Sequence, residues 1–524
     1  MRMYMVDEGM FGQTLQVAQS YIRLFVIFDS FLTVIGASEM LTNLGLCVSG
    51  SYTGGPAKVS VLASDLTGML SGTAAANVAT TGTLTIPMMK RTDFSPAFAS
   101  AVESIASTGG MLMPPIMGAA AFLMADFTQT PYSTIMLAAV LPAPFYYGSL
   151  LFVVHPRAVR QGISGLPKSE IPNFLTVIKT RGHLLLPIIV FVYLLMSGST
   201  PTYSAVLSIG VAIAASFLRR NTWMTPRKLL DALVLGAIAT VAVGTACLVA
   251  GFIVGVVSMT GVAQVLTMYI DTLSGGYLFP ALFITTFAAI LLSCALPATA
   301  VYIVAAVTVA PVLVAMGADL LSAHFFVFYF GVLSNITPPI AIACFTAAGI
   351  AAEGSMKIAL HSLRLALPAF ILPFVLIYHP ALLMINAQPL NVVEIAVIVA
   401  FGTACYVIAA EGVLVTRLGV LSRLTFGAVA VLCLVIQDNA IGLVACVLAV
   451  VLGGRSTSSH TEQRPWKRRS CRRPRARKRP RTPDLQSRQR PVSDAGANAR
   501  FVAASPAPRR DMDGEPRRRG ILFK

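Results

Sequence analysis

Long apolar windows recur along this chain from Tyr21 to Leu452, and they leave very few folds open. They fall at 133–154, 184–218, 229–257, 364–385, 391–415 and 424–453, the second being a pair split near Ser199-Thr200-Pro201. A hydrocarbon core about 30 Å thick is crossed by about 20 helical residues. Inside it the backbone finds no water, so its N–H and C=O groups must pair within the segment. Windows of this length therefore predict an all-α polytopic membrane protein. Composition agrees, with 56% hydrophobic residues, 12% charged residues and a mean hydropathy of +0.76. Met1 to Gln19 is polar and acidic and lacks the compact apolar core of a signal peptide, so the chain is expected to begin partway through its architecture.

Proline supplies the second constraint. Pro114-Pro115 and Pro338-Pro339 each follow a lone proline, Pro87 and Pro311, at the same spacing of 27 residues. An offset of 224 superposes Pro87 on Pro311 and Pro114-Pro115-Ile116 on Pro338-Pro339-Ile340. Proline is costly inside a helix and has no compositional reason to recur in register. Two structural repeats are predicted, over blocks 54–126 and 275–354, each with an interrupted helix and a re-entrant hairpin. Paired discontinuous helices in the two halves of a transporter mark its binding site.

Around these blocks the chain divides into a scaffold region at 1–53, with one helix near 21–48, a core at 54–385 and an apolar extension at 386–454. A basic tail follows at 455–524, holding 21 of the 39 Lys and Arg residues, so the net charge of +17 belongs mostly to it. Its Arg, Pro and Ser content cannot bury enough apolar surface to fold, and it is expected to be disordered. It reads as a solvated tail or a shifted reading frame rather than a tether to anionic lipid, and no nucleic-acid partner is expected. The hydrophilic connection 155–183 and the cluster Arg219, Arg220, Arg227 and Lys228 are also basic, which predicts that both face the cytoplasm. The eight cysteines lack metal or disulfide spacing and read as packing residues.

Two stretches in the first block carry small polar groups. Between Leu70 and Thr83, Gly72 and Gly82 weaken the helix while Ser71, Thr73, Asn77, Thr80 and Thr81 supply oxygens. This stretch reads as the broken helix, whose free carbonyls and hydroxyls suit a bare Na⁺ ion. Ser107 to Pro115 reads as the hairpin tip, with Gly109-Gly110 permitting the turn. In the second block Ser293 to Thr299 takes the part of the broken helix and Ser334 to Pro339 that of the hairpin tip. Of the acids in or beside apolar runs, Asp65, Glu103, Asp126, Asp271, Glu353 and Glu411, the first two lie deepest. Each is expected to have an interfacial or paired structural role rather than to couple protons. His324 and His361 read as packing or interfacial residues. No phosphate loop, nucleophile elbow or metal-ligand cluster appears, so no enzyme is expected.

The order of these motifs is itself recognisable. Gly54-Gly55-Pro56-Ala57-Lys58-Val59 leads to Leu70–Val78, Thr83–Arg91, Ala101–Gly110 and Met113–Phe122, with His324–Phe330, Val332–Pro339 and Ala347–Ala351 in the second half. This succession resembles the large membrane subunit of tripartite ATP-independent periplasmic (TRAP) transporters, and most of all the form fused to the small subunit. The resemblance covers about residues 8–385 well and 386–453 loosely. It implies an elevator-type permease of the bacterial inner membrane, driven by Na⁺ and importing an organic acid, typically a dicarboxylate. A periplasmic solute-binding protein and a small membrane subunit would be its partners, and no cofactor is implied beyond the coupling ion.

Residue by residue, the site would comprise Ser71, Gly72, Thr73, Asn77, Thr108, Gly109, Gly110, Pro114, Pro115, Pro297, Thr299, Asn335, Thr337, Pro338 and Pro339. Ser71, Thr73, Asn77, Thr299, Asn335 and Thr337 would be the Na⁺ ligands. Ser293-Cys294-Ala295 and Ala298 depart from the family pattern, as does Asp65, and the upstream small subunit and first spans are expected to be missing. The alternatives are a truncated, inactive or partner-binding scaffold of the same family and an anion channel.

Overall fold

A computed structural model describes residues 9–293, 296–385, 387–412, 418–436, 441–442 and 444. The basic tail, the end of the apolar extension, and Cys294 and Ala295 of the second polar stretch lie outside them. The described elements are all helical, and six helices are long and apolar enough to cross a membrane, or seven if a pair bent by 47° between Leu365 and Leu367 is one span. This is the architecture of a multi-pass membrane protein.

The N-terminal helix is two. One runs Gln13–Val34, the chain turns at Gly36 with φ of 90°, and a second runs Ala37–Ser49. The expected single helix over 21–48 is thus broken where only glycine adopts the backbone cheaply. The apolar pair at 184–218 is a helical hairpin, Leu186–Met196 and Pro201–Ser216, with Thr200 capping the second arm by accepting from the Tyr203 N–H. The connection 155–183 is more ordered than its polarity suggested: a helix reaches Gln161 and another spans Phe174–Arg181.

The internal repeat is present in register. Pro96–Gly109 recurs as Leu320–Leu333, and the single turn Gly110–Leu112 recurs as Ser334–Ile336, each displaced by 224 residues. The caps repeat as well, with Ser95 accepting from the Phe98 N–H and Asp319 from the Ser322 N–H. Pro114-Pro115 and Pro338-Pro339 are both cis, and the backbone then turns through positive φ at Met117 and at Ala341.

The roles of the two polar stretches are exchanged relative to the sequence reading. Gly55–Ser71 and Ala74–Arg91 are antiparallel arms of a helical hairpin, turned at Gly72, whose φ is 61°, and at Thr73, whose backbone is extended. Cross-arm bonds fix the direction: Ser64 meets Thr81 and Thr67 meets Asn77. Ser107–Pro115 belongs to the interrupted helix, in which Pro96–Gly109 unwinds through Met113–Ala119 and resumes as Ala120–Phe127. The second half follows the same order. Leu278–Ser293 and Ala298–Thr308 flank the second hairpin turn, where Pro297 is extended like Thr73. Leu320–Leu333 and Ile342–Ala351 are the second interrupted helix.

Candidate functional site

The site is built where hairpin tip, interrupted helix and the opposite repeat converge. Gly68 and Gly110 let the first hairpin cross the interruption backbone on backbone. A Cβ on Gly110 would stand 2.4 Å from the Gly68 Cα, and one on Gly68 would stand 2.7 Å from the Gly110 Cα. The tip itself lies beside the turn that follows the prolines, since a Cβ on Gly72 would meet the Met117 carbonyl oxygen at 3.4 Å. The two interruptions touch: the Asn335 side-chain amide lies 3.6 Å from Met111 Sδ and donates to the Val332 carbonyl at 2.9 Å. At the far end of the hairpin, Lys90 Nζ donates to the Ala351 carbonyl at 3.0 Å, closing the C-terminus of a helix from the other repeat.

Unwinding a helix strands carbonyls, and tyrosines take up part of the deficit. The Tyr132 hydroxyl donates toward the Pro115 and Ile116 carbonyls, at 2.9 and 2.5 Å. Tyr146 and Tyr147, adjacent on one helix, donate to Ile105 and Ala106 at 2.8 and 3.0 Å. Gly109 makes this approach possible, because a Cβ there would fall 2.3 Å from the Tyr146 ring. None of these tyrosines lies within the polar motifs. Their signal in the sequence was only their aromatic hydroxyls within or at the edge of an apolar window.

The expected site residues sort by their surroundings. Ser71, Gly72, Thr299 and Thr337 are partly buried, Thr73 and Pro297 are exposed, and Pro114, Pro115, Pro338 and Pro339 border the two turns. Thr337 bonds the Leu333 carbonyl and Thr108 the Ser104 carbonyl, both on the preceding turn. Asn77 is fully buried within the first hairpin: its Oδ1 accepts from Thr67 at 2.7 Å and its amide donates to the Ser64 carbonyl at 2.7 Å. Its observed bonds hold the arms together behind the tip.

The most concentrated polar feature is Glu103, which has no exposed surface. Its carboxylate accepts from Ser60 at 2.6 Å, Ser64 at 2.8 Å and Ser107 at 3.0 Å, and also from Thr81 and Thr85. Five hydroxyls from three helices thus converge on one carboxyl group. A carboxyl group in so apolar a layer must be fully hydrogen-bonded to persist. The displaced positions in the second half are Ile284, Ala288, Ala305, Val309, Val327 and Gly331, none of which carries a polar side chain.

The other acids mostly find partners. Glu411 pairs with Arg157 at 2.9 Å, Glu353 with Lys357 at 3.3 Å, and Asp126 accepts from Gln13. Asp271 is exposed, whereas one oxygen of Asp65 is buried without a hydrogen-bond partner among the described residues. His324 is buried, with Nδ1 at 2.9 Å from the Tyr302 hydroxyl, as a packing residue should be. Among the described residues no three His, Cys, Asp or Glu side chains gather as a metal site.

Fold and site together define a multi-pass helical membrane protein of two repeats, each pairing a helical hairpin with an interrupted helix. Residues 1–390 match the family described as the tripartite ATP-independent periplasmic transporter, DctM component, and the chain belongs to that family of transporter permeases. Three relatives illustrate the distance. The uncharacterized protein y4mL of Sinorhizobium fredii is 26% identical over 45% of this chain and 56% of its own length. The C4-dicarboxylate TRAP transporter large permease protein DctM of Pseudomonas aeruginosa is 28% identical over 40% of this chain and 50% of its own. The sialic acid TRAP transporter large permease protein SiaM of Vibrio cholerae is 25% identical over 38% and 46%. The chain spans about half the length of these relatives.

Proposed function

We propose that this protein is the permease component of a Na⁺-driven, binding-protein-dependent secondary transporter that imports an organic acid, a dicarboxylate in the first instance, across the bacterial inner membrane. The observation that carries the reading is the pair of helix interruptions, one from each repeat, brought into contact through Asn335 and Met111. Hairpin tips and unwound turns leave backbone carbonyls that a small hard cation can use in place of water. Side-chain oxygens of Ser71, Thr73, Thr299, Asn335 and Thr337 border those turns and complete the proposed Na⁺ ligands. Asn77 supports the first tip from behind through its bonds to Thr67 and Ser64. Helix N-termini at the interruptions carry partial positive charge suited to a substrate carboxylate. The names of several relatives, which specify C4-dicarboxylate, support the substrate class.

The full chain, reconstituted in proteoliposomes with a cognate small membrane subunit and solute-binding protein, tests this. Uptake of radiolabelled succinate or another dicarboxylate should require an inward Na⁺ gradient and the binding protein, and should fall at least tenfold with Thr337→Val. Flux that needs no binding protein and does not saturate would identify a channel. Absence of flux with every dicarboxylate and sialic acid would remove the transport reading and leave a partner-binding scaffold.

A further inference from the structure

We infer that a basic pocket between the N-terminal helices and the turn at 219–228 binds the phosphate headgroup of an anionic phospholipid. The cavity measures about 410 Å³ and is assembled from three distant stretches: the Gly36 break, the end of the Phe174–Arg181 helix, and the turn preceding Pro226–Thr260. Arg181, Arg219, Arg220 and Lys228 line it, against the single carboxylate of Glu39. Glu39 is engaged with Arg181, and Arg219 donates to the Lys179 carbonyl. Arg220 and Lys228 face the cavity with no carboxylate in ion-pair range among the described residues. Four cations around one void repel one another unless an anion joins them.

The surroundings select the kind of anion. Beside the pocket Phe217 and Leu218, just past the end of Pro201–Ser216, and Leu230, on Pro226–Thr260, are exposed, at 54%, 63% and 61%. In a membrane protein such surface meets lipid chains. Trp223, 44% exposed, donates its indole N–H to the Phe217 carbonyl at 3.2 Å, an amphipathic ring of the kind that marks the headgroup level. A ligand carrying a phosphate and acyl chains satisfies both the basic void and the apolar skirt, whereas a free anion uses only the first. Basic pockets between membrane helices are suited to anionic headgroups, and the basic clusters place this one at the cytoplasmic leaflet. The inference stands on the membrane fold and is independent of what the protein transports.

The test is native mass spectrometry of the detergent-purified full chain, titrated in turn with cardiolipin, phosphatidylglycerol and phosphatidylcholine, with and without 10-fold excess inorganic phosphate. Cardiolipin or phosphatidylglycerol should remain bound where phosphatidylcholine does not. Arg220→Gln with Lys228→Gln should weaken that binding about 30-fold, at roughly a factor of five per charge. Lys168→Gln with Arg364→Gln, which removes the same charge elsewhere, should leave it unchanged. The melting temperature in phosphatidylcholine should be the same for all three proteins, which separates loss of the site from loss of the fold. Equal retention of cardiolipin by the Arg220/Lys228 variant overturns the inference. Displacement of cardiolipin by inorganic phosphate also overturns it, in favour of a free-anion site.

Discussion

Glu103 shows how much one side chain can organise in an apolar layer. It draws hydroxyls from both arms of the first hairpin and from its own helix, so three helices share one acceptor group. Glu103→Leu leaves five buried hydroxyls without that acceptor and is expected to cost at least about 3 kcal/mol, since one orphaned buried group alone costs about 1–3 kcal/mol. Glu103→Gln keeps an acceptor oxygen and adds an N–H that hydroxyl oxygens can accept, and should cost much less. Thermal melting in detergent distinguishes the two, and equal losses would show that charge rather than hydrogen bonding holds the site. Asp65 is the opposite case, a buried oxygen with no partner among the described residues. Asp65→Ser should raise stability by about 1–2 kcal/mol, because removing an unsatisfied polar group relieves its desolvation. A lowered melting temperature would mean that the carboxyl group is held by something the fold does not reveal.

At the scale of elements, the tyrosines that bond the stranded carbonyls should control how far the interruption frays. Tyr132→Phe removes the hydroxyl from the Pro115 and Ile116 carbonyls. Hydrogen exchange over residues 110–120 should speed up by about tenfold, the equivalent of one lost buried hydrogen bond of about 1–1.5 kcal/mol. Unchanged exchange there would show that the turn is held by the prolines alone.

The same scale is where the sequence was partly misleading. Leu70–Thr83 and Ser107–Pro115 both carry glycines and hydroxyls between apolar runs, and local chemistry cannot say whether the chain reverses or continues past such a break. Length could have decided it. Arms of 17 and 18 residues would make a single broken span about 50 Å long, well beyond a 30 Å core. Ser60 and Ser64 on one side of Gly72, answered by Asn77, Thr81 and Thr85 at four-residue spacing on the other, are facing stripes of a hairpin. Tyr132, Tyr146 and Tyr147 were not legible, because their partners are backbone carbonyls whose exposure depends on where the helix unwinds.

Across the whole molecule, the proline register foretold the repeat, although its paired prolines fall in the interrupted helices rather than at the hairpin tips, and the caps that recur at Ser95 and Asp319 went unread. What it could not foretell is that the two interruptions meet. If both repeats belong to one body that moves as a unit, closing Met111→Cys onto Asn335→Cys in an otherwise cysteine-free chain should not lower further the uptake that the open double variant, lacking the proposed Asn335 ligand, retains. The pair, whose native side chains approach to 3.6 Å, can be closed by oxidation or a short bifunctional maleimide. Loss of uptake on closure, restored by a reductant in the oxidised case, would show instead that the interruptions must part during the cycle.

The Glu103 cluster also bears on how two such halves can diverge. Its six positions are polar in one copy and apolar or glycine in the other. A carboxyl group introduced alone at Val327 would have no hydroxyls to receive it, and hydroxyls introduced alone would have nothing to meet. Exchange between the halves by single substitutions therefore crosses a valley of poorly folding intermediates. Once established, the difference between the copies is held in place by the cost of every first step back, and a chimera that swaps the halves must carry all six residues together.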